Sequence, residues 1–420
     1  MKFAKLLEQI LQNEDIPQEW ALYTIQYKKL KKYINSVVQE LENSGLEKND
    51  ITDLIIHRGS DSFHYLAEYD FIAENEQIRP YLKMRVAEED LSKIHELGGR
   101  IVTFSDERVQ QADDLEKSGL ESTKRVIEIL IELKQDKAFF ETLYSEVRDL
   151  SNLESVQKGE FTESVTQISN SISKLTSPSI RRSDMYVWRE IFKMYIDSEV
   201  FFSCSGVKVG ERKVEQARGQ LEMFSRRLEE TKLLSKFRHK QSARAFQSFY
   251  TVNLRLIQAL RFQDLNNTAS YKILKKFNKQ TLLDTQNFPM LVRLQTFRET
   301  SFVQSLCSII ATQLLSVVPQ VEDYTCPICT SVAFKPIRLD CGHVFCVRCL
   351  VKLQRASKDS CPLCREDVVM KADQGNLDIA RMEYLKLYFP KETKQKQAET
   401  EKEIAVEQFG VLAEQKCIIQ

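Results

Sequence analysis

A cysteine-rich stretch near the end of the chain constrains its fold more than any other feature. Residues 326–364 carry seven of the ten cysteines and one of the five histidines of this 420-residue chain. The eight side chains form four close pairs: Cys326 with Cys329, Cys341 with His343, Cys346 with Cys349, and Cys361 with Cys364. One short turn can point both members of such a pair at one ion, and four ligands complete a tetrahedral zinc site. The stretch therefore predicts two structural zinc ions, with no coordination position left for a catalytic water.

The alternatives are a disulfide framework and chance clustering. The first residues, MKFAKLLEQI, are charged and lack the apolar run of a secretory signal, which predicts a chain that stays in the cytoplasm, the nucleus or both. Thiols remain reduced in those compartments, so paired cysteines there favour metal binding over disulfides. Zinc is the better interpretation of pairs this regular.

The ligand order of three Cys, one His and four Cys resembles the RING finger of ubiquitin ligases. The residues between the ligands match that family as well: Pro327, Ile328, Gly342, Phe345, Pro362 and Leu363. The resemblance implies a cross-braced arrangement, with one zinc ion held by Cys326, Cys329, Cys346 and Cys349 and the other by Cys341, His343, Cys361 and Cys364. Spacing alone leaves two sequential sites equally open.

The RING resemblance also implies functions for residues beside the ligands. Ile328, Pro362 and Leu363 match the positions that form a shallow apolar groove for a ubiquitin-conjugating enzyme. Leu353 belongs to the same groove but stands where many active members carry Trp, so we expect an altered preference among conjugating enzymes. Arg365 matches the cation that clamps ubiquitin onto the conjugating enzyme. The expected activity is that of a RING-type ubiquitin ligase, which forms no covalent intermediate with ubiquitin.

Composition excludes several other classes of protein. Lys and Arg total 60, as do Asp and Glu, so the whole chain has no electrostatic preference for nucleic acid or membranes. The most apolar stretch, residues 302–318, contains Gln304, Ser305, Ser308 and Gln313 and is better interpreted as a buried helix than as a transmembrane segment. We therefore predict neither a nucleic-acid partner nor a membrane span.

Hydrophobic spacings of three and four residues predict a mainly α-helical chain. The pattern indicates helices at 2–12, from Pro17 to about residue 41 with Leu22 and Ile25 facing inward, from 185, from 211 and at 245–260, with a break at 266–268. The hundred residues after a break at 43–50 also read as helical, with a regular rhythm from Val126 to Val147. Residues 151–184 are rich in Ser and Thr and predict a flexible linker.

The segments that flank the cysteine-rich stretch have their own patterns. Residues 291–318 predict a connecting helix, and residues 376–389 predict an amphipathic helix that stops at Pro390. The charged sequence KETKQKQAETEKE that follows predicts a frayed or disordered tail. The predicted domains are a helical domain at 1–295 with an insertion at about 45–183, a connecting helix at 296–320, a RING finger at 321–370 and a C-terminal helix with a charged tail at 371–420.

Two lysine-rich segments contain no acidic residue. One, between Glu19 and Glu40, includes Lys28, Lys29, Lys31 and Lys32; the other, between Asp264 and Asp284, places Lys272, Lys275, Lys276 and Lys279 along one side of a helix. Solvated helix faces usually mix Glu with Lys, because i,i+4 pairs of opposite charge support a helix and pairs of like charge oppose it. The segments favour an anion-binding surface, with two solvated lysine faces as the alternative.

The same segments resemble those of an SPX domain. The resemblance rests on the opening Met1-Lys2-Phe3, on Tyr27-x-x-Leu30-Lys31 and on Lys272-Ile273-Leu274-Lys275-Lys276-x-x-Lys279. It implies a helical hairpin and a bundle of long helices that bind inositol polyphosphates and pyrophosphates and report phosphate status. The implied binding residues are Lys2, Tyr27, Lys31, Lys272, Lys275, Lys276 and Lys279.

Together the two resemblances imply a ubiquitin ligase that senses inositol pyrophosphates in phosphate homeostasis. The implied partners are a charged ubiquitin-conjugating enzyme and an unidentified substrate, such as a phosphate transporter or another protein of phosphate homeostasis. The alternative is a non-enzymatic SPX scaffold whose zinc module only binds proteins. A polyphosphate polymerase or a transporter would need a catalytic or transmembrane domain that the sequence does not indicate.

Overall fold

A computed structural model describes residues 3–13, 16–43, 66–74, 77–87, 100–108, 123–203, 210–285, 287–288 and 302–409. The helices are α1 (Phe3–Asn13), α2 (Gln18–Ala21), α3 (Tyr27–Asn43), α4 (Lys134–Thr176), α5 (Met185–Asp197), α6 (Val214–Glu230), α7 (Lys240–Thr281), α8 (Phe302–Ile309), α9 (Val347–Arg355), α10 (Ile379–Tyr388) and α11 (Pro390–Phe409). The chain divides into two compact units, one of Met1–Ser164 and Thr251–Ile309 and the other of Val165–Tyr250 and Ile310–Gln420.

The first unit buries one aromatic-rich core between helices and a sheet. Helix α3 faces this core with Leu30, Ile34, Val37 and Leu41, the start of α4 contributes Phe139 and Phe140, and the end of α7 contributes Ile273 and Phe277. The stacked pair Phe139 and Phe277 has ring centroids 4.8 Å apart. These contacts fix the N-terminal hairpin against the late part of α7, which carries the second lysine segment.

A four-stranded antiparallel sheet completes the first unit. Its strands are β1 (Leu66–Glu74), β2 (Gln77–Ala87), β3 (Arg100–Arg108) and β4 (Thr123–Ile131), in the order β1-β2-β4-β3. The expectation that this part of the chain is helical was wrong. The rhythm from Val126 to Val147 crosses from β4 into α4, and residues four apart share one face in a strand as well as in a helix, so a short strand can mimic a helical spacing.

The junction between β4 and α4 is held by a helix cap from another element. The Glu40 carboxylate on α3 accepts hydrogen bonds from the backbone N–H groups of Lys134 and Gln135, at 2.8 and 2.7 Å. The first N–H groups of a helix lack partners within the helix, so a carboxylate there satisfies them and opposes the positive end of the helix dipole. This cap ties the hairpin to the start of the longest helix.

One buried carboxyl group in this unit should make stability depend on pH. Asp136 is fully buried, its Oδ2 accepts a hydrogen bond of 2.9 Å from the Tyr69 hydroxyl, and burial raises its pKa to about 8. The folded chain therefore keeps this proton while the unfolded chain releases it near pH 4. The free energy of unfolding should fall, by an amount on the order of a few kcal/mol, as pH rises from about 4 to 8.

Asp136→Asn should flatten this pH dependence and stabilise the protein at pH 8. Denaturant titrations at pH 5 and pH 8 measure the effect, with Asp149→Asn at an exposed position of the same helix as the matched control. An unchanged pH slope in Asp136→Asn would show that the carboxyl group is ionised in the folded protein.

Helix α4 continues from the first unit into the second, through residues where the sequence predicted a flexible linker. That prediction was wrong, because residues 151–176 continue α4. Phe161, Val165, Ile168, Ile172 and Leu175 are buried and recur at spacings of four and three. Most of the Ser and Thr residues occupy the other faces, and several hydroxyls donate to the carbonyl four residues earlier, as Ser164 does to Glu160. A narrow apolar stripe was thus hidden by a polar composition.

Helices α5 and α6 and the start of α7 form an aromatic core in the second unit. Phe192 packs against Trp188 and Phe249, with ring centroids 5.4 and 5.7 Å away. The helices predicted from residue 185, from residue 211 and at 245–260 are confirmed. Two short strands, β5 (Phe202–Ser203) and β6 (Gly210–Glu211), pair between α5 and α6.

Helix α7 runs without interruption through residues 266–268, where the sequence predicted a break. The side-chain amide of the buried Asn266 is hydrogen-bonded at both its nitrogen and its oxygen. Its Nδ2 donates to the Phe262 carbonyl within α7, and its Oδ1 accepts from the Ile25 N–H at 3.0 Å. An Asn that would normally favour a turn therefore joins α7 to the segment before α3.

The single helix predicted from Pro17 to about residue 41 is wrong. Helix α2 ends at Ala21 and α3 begins at Tyr27, and Leu22 between them, predicted to face inward, is 81% exposed.

The tail predicted to be disordered forms helix α11. Pro390 ends α10 and is the first residue of α11, a position where its missing N–H has no helical partner to lose. Before the cysteine-rich stretch, the predicted connecting helix is α8, followed by a π-helical turn (Ile310–Leu314) and a 3₁₀ turn (Leu315–Val317); residues 291–301 lie outside the described residues. Among the described residues, no helix has the length and apolar content needed to cross a membrane.

Candidate metal centre and lysine surface

The eight predicted zinc ligands gather into two clusters. Cys326, Cys329, Cys346 and Cys349 form one cluster, and Cys341, His343, Cys361 and Cys364 form the other; within each, the ligand atoms lie within 4.8 Å of one another. The Sγ atoms of Cys329 and Cys346 are 3.7 Å apart. Four Zn–S bonds of about 2.3 Å give a tetrahedron with edges of about 3.8 Å, so this cluster has the dimensions that zinc requires. The pairs interleave along the chain, which is a cross-brace.

The second cluster presents a mixed sulfur and nitrogen donor set. The Nδ1 atom of His343 lies 3.3 Å from Sγ of Cys341 and 3.7 Å from Sγ of Cys361. In the first cluster, the backbone N–H groups of Phe334 and Cys346 donate to the Sγ atoms of Cys346 and Cys326, at 3.2 and 3.3 Å. Hydrogen bonds to sulfur stabilise the thiolate form that binds metal. Zinc would therefore be held by groups that the fold already orients.

Two matching turns aim the outer cysteine pairs. The N–H of Thr330 donates to the Cys326 carbonyl at 2.8 Å, and the N–H of Arg365 donates to the Cys361 carbonyl at 2.9 Å. Both donors have left-handed backbone conformations, with φ of 55° and 67°. The turn thus brings two thiols to one point and leaves the following side chain projecting from the metal site. Arg365, the predicted ubiquitin clamp, is one of these two residues.

Helix α10 completes the core around the clusters. Leu385 and Phe389 are buried with Phe345 and Val369, and a short two-stranded sheet, β7 (Pro336–Arg338) and β8 (Val344–Cys346), leads into α9. The N–H of Asp378 donates to the Pro336 carbonyl, and its carboxylate pairs with Arg338 at 2.6 Å. The residues after the last cysteine are therefore part of this fold rather than an appendage.

Helix α11 packs along α9 through charge pairs. Glu403 pairs with Lys352 at 2.7 Å and with Arg348 at 3.6 Å, and Glu407 pairs with Arg355 at 3.4 Å and also contacts Arg348. None of these residues was predicted from the sequence to have a function. The i,i+4 spacing of Glu403 and Glu407, opposite Arg348, Lys352 and Arg355 on α9, was a detectable signal of two complementary helices.

Three of the four residues of the predicted groove for the conjugating enzyme are exposed. Ile328 is 40% exposed and Leu363 is 53% exposed, although both belong to the tightly turned cysteine pairs. Pro362 is exposed as well, and Leu353 is half-buried against the core. Exposed apolar side chains that lie together are typical of a docking surface for another protein, and the RING resemblance implies that these residues do.

The two lysine segments converge in the first unit. The Phe3 ring lies edge-on to Tyr27 of α3 with centroids 5.1 Å apart, and Nζ of Lys272 on α7 lies 4.0 Å from the Phe3 ring centroid. Leu30, the neighbour of Lys31, shares a core with Ile273 and Phe277. Lys31, Lys272, Lys275 and Lys279 are exposed, Lys276 is half-buried, and Lys2 lies outside the described residues.

Two residues of this surface were not predicted. Phe3 bridges the hairpin and α7, and its position beside Lys2 in the opening motif was the available signal. Glu8 on α1 forms an ion pair with Lys28, so one lysine of the acid-free segment has an acidic partner from another helix. The sequence of the acid-free segment does not reveal such a partner, because Glu8 lies outside it.

Comparison with known proteins decides the family. A model described as the SPX domain matches residues 1–288. The chain belongs to the SPX domain family. A second model, described as a zinc finger of the C3HC4 type, RING, matches residues 326–364. The predicted fold class, a mainly α-helical SPX bundle followed by a small cross-braced RING finger, is confirmed.

Two relatives cover nearly the whole SPX-RING chain. The transcriptional regulator of yeast form adherence 3 of Candida albicans is 36% identical over an alignment of 479 positions, which covers 96% of this chain and 96% of that protein. An uncharacterized RING finger protein of Schizosaccharomyces pombe is 30% identical over 450 residues, with the same coverage. The mouse E3 ubiquitin-protein ligase TRIM21 is 32% identical over 71 residues, which are 17% of this chain and 15% of its own. No solved structure matches the chain.

Proposed function

We propose that this protein is a RING-type ubiquitin ligase whose SPX domain binds inositol polyphosphates and pyrophosphates. The observation that supports the ligase assignment is the exposure of the apolar side chains of Ile328, Pro362 and Leu363 on a RING with two complete ligand clusters. The likeness of the RING to mouse TRIM21, which is named a ubiquitin ligase, supports it. The proposed class of ligand, inositol polyphosphates and pyrophosphates, follows from the lysine surface of the SPX domain.

In the proposed reaction the RING holds a conjugating enzyme that carries ubiquitin as a thioester. A lysine amine of the substrate attacks the thioester carbonyl, an isopeptide bond forms, the C–S bond breaks, and the cysteine of the conjugating enzyme leaves as a thiol. Positioning the two partners lowers the entropic part of the barrier, and the RING contributes no nucleophile. Zinc, when bound, supplies only the fold that holds Ile328, Leu363 and Arg365 in place.

The groove and the clamp should be separable by mutation. Ile328→Ala removes apolar contact area and should weaken binding of the conjugating enzyme about tenfold. Arg365→Asn removes the cation but suits the left-handed backbone at this residue. It should leave that binding intact and slow ubiquitin discharge about tenfold or more, which is typical of losing a charge-assisted hydrogen bond. Single-turnover discharge of ubiquitin to free lysine, with binding measured separately, tests both variants.

The exposed Met370 supplies a matched control for the groove, because it is a large apolar side chain that the groove does not include. Met370→Ala should discharge ubiquitin at the wild-type rate. Full activity of both Ile328→Ala and Arg365→Asn would overturn the groove and clamp assignments. A wild-type chain that binds the conjugating enzyme without accelerating discharge would instead favour the scaffold interpretation.

We also propose that the lysine surface binds a compact polyanion. The predicted binding residues belong to α3 and α7, which share one core, so several cations reach one region of the surface. They are Tyr27, Lys31, Lys272, Lys275, Lys276 and Lys279. Attraction grows with the product of the charges, which favours an inositol pyrophosphate over monovalent phosphate. Binding should weaken with added salt, because charges at the surface are screened.

A further inference from the structure

Helix α5 of the SPX domain carries a buried arginine that contacts both flanks of the RING. Arg189 is only 5% exposed. Its Nε donates to the Pro319 carbonyl, before the first zinc ligand, and its Nη2 donates to the Tyr388 carbonyl, beyond the last one; both hydrogen bonds are 2.9 Å long. One guanidinium group thus joins the segment that enters the RING to the segment that leaves it.

The same guanidinium group reaches the core of the RING. Its central carbon lies 4.2 Å from the centroid of Phe389, which is fully buried in the RING core. Phe389 in turn packs against Tyr324, with centroids 5.2 Å apart, two residues before Cys326. Cation–π contacts of this kind are strongest when the cation is removed from water.

A carboxylate and a tyrosine complete the surroundings of Arg189. Its Nη1 lies 3.7 Å from the Glu392 carboxylate, which accepts a hydrogen bond of 2.9 Å from the Tyr186 hydroxyl. Burial lowers the pKa of Arg189, and the negative charge of Glu392 opposes that effect. Nη1 is buried without a hydrogen-bond partner, so the nearby charge of Glu392 offsets its burial, while two carbonyl groups satisfy Nε and Nη2 in the plane of one guanidinium group.

The contacts of Arg189 differ from an exposed ion pair nearby, between α5 and the segment that enters the RING. Lys193, one turn further along α5, pairs with Glu322 at 2.7 Å, but both side chains are about half exposed. Exposed ion pairs of this type contribute little to stability. The interface therefore has a buried anchor at Arg189 and a solvated rim at Lys193, which supply a test residue and its matched control.

We propose that Arg189 is a positioning residue for ubiquitin transfer: it fixes the RING to helix α5 of the SPX domain in one orientation. This inference rests on the proposed ligase function. A RING held by both flanks presents the bound conjugating enzyme in one direction, so the thioester reaches only some acceptor lysines. Release of the anchor should let the RING turn and should broaden the set of lysines that receive ubiquitin.

The test compares Arg189→Met, Arg189→Lys and Lys193→Ala in the full chain. Met keeps the length of the side chain without its N–H donors, and Lys keeps the charge but cannot bridge two carbonyl groups in one plane. Hydrogen exchange in residues 317–323 and 386–394 should become about tenfold faster in both Arg189 variants, as expected for the loss of hydrogen bonds from a charged donor. Lys193→Ala should exchange like the wild type.

Two further readouts separate orientation from folding. Zinc content and discharge of ubiquitin to free lysine should stay within about twofold of wild type in the Arg189 variants, because free lysine approaches from any direction. The pattern of ubiquitinated lysines on the chain itself, mapped by mass spectrometry, should broaden. If Arg189→Met loses zinc, Glu392→Gln provides the milder disruption, for which faster exchange and a broader pattern are again expected.

The outcomes distinguish this inference from the ligase assignment. A wild-type chain without discharge activity contradicts the proposed function, while the exchange data still decide whether Arg189 anchors the flanks. An active wild-type chain, with exchange rates and a lysine pattern that do not change in the Arg189 variants, overturns the positioning role and leaves the ligase assignment standing. Faster exchange with an unchanged lysine pattern also overturns it, because Arg189 would then serve stability alone.

Discussion

Replacing Cys349 by Ala should unfold the RING and abolish ligase activity, the largest effect expected of any single substitution. Cys349 is buried among the four thiols of the first cluster, so the variant leaves that zinc ion with three protein ligands. Binding of a structural zinc ion contributes about 10–16 kcal/mol in small zinc domains, and that binding is folding free energy. The cross-brace makes the second cluster depend on the same fold, so both ions should be lost.

Elemental analysis should find two zinc ions per wild-type chain, and chelation should melt the RING while the helices of the first unit keep their circular dichroism signal. Cys307→Ala is the matched control, because Cys307 belongs to neither cluster. It should keep both zinc ions and full activity. A wild-type stoichiometry of one or none would contradict the cross-braced assignment.

Lys275→Ala combined with Lys276→Ala should lower the affinity for inositol pyrophosphate at least tenfold, and by up to about a hundredfold if each lysine makes a charge-assisted hydrogen bond. The substitutions should not reduce helicity, because Ala has the highest helix propensity. Isothermal titration calorimetry on the full chain at two salt concentrations measures the loss. Wild-type affinity should itself fall as salt increases.

A matched control removes the same charge from a different helix of the SPX domain. Lys134 and Lys158 are exposed on α4, which carries none of the predicted binding residues, and Lys134→Ala with Lys158→Ala should bind the ligand like the wild type. An equal loss in both double variants would assign the binding to overall charge rather than to a site. No binding at low salt would contradict the sensor assignment.

The zinc ligands could be predicted from sequence because their geometry is set by local spacing. A gap of two residues, followed by a left-handed residue such as Thr330 or Arg365, suffices to aim two thiols together. The pairing of Cys326 with Cys346 rather than with Cys341 depends on the tertiary fold. It came from the resemblance to RING fingers, and the structure has the same pairing.

The failures of prediction share a physical cause, which is that burial is decided by distant partners. Asn266 stays in a helix because Ile25 supplies a donor from a residue 241 positions away. The polar stretch 151–176 is helical because a narrow stripe of apolar residues is buried, and the charged tail forms a helix in which Thr400 is buried and Glu403 and Glu407 face cations on α9. Periodicity along one segment contains none of this information.

The role proposed for Arg189 also depends on distant partners that the sequence does not reveal. In sequence it is one cation in an amphipathic helix, and nothing in its spacing distinguishes it from the exposed Lys193. Only its contacts with Pro319, Tyr388 and Phe389 reveal a buried anchor between the SPX helix and the RING. The boundary predicted between residues 295 and 296 lies outside the described residues and stays a prediction.

We propose that one chain couples a polyanion sensor to a ubiquitin ligase. The most direct test is the rate at which the purified full chain ubiquitinates itself, titrated with an inositol pyrophosphate at constant zinc and conjugating enzyme. An effector changes activity only when it binds two states of the protein with different affinity. We expect the rate to change with ligand concentration in the wild type and to stay constant in the Lys275→Ala, Lys276→Ala double variant. A wild-type rate that does not change at saturating ligand would contradict the claim.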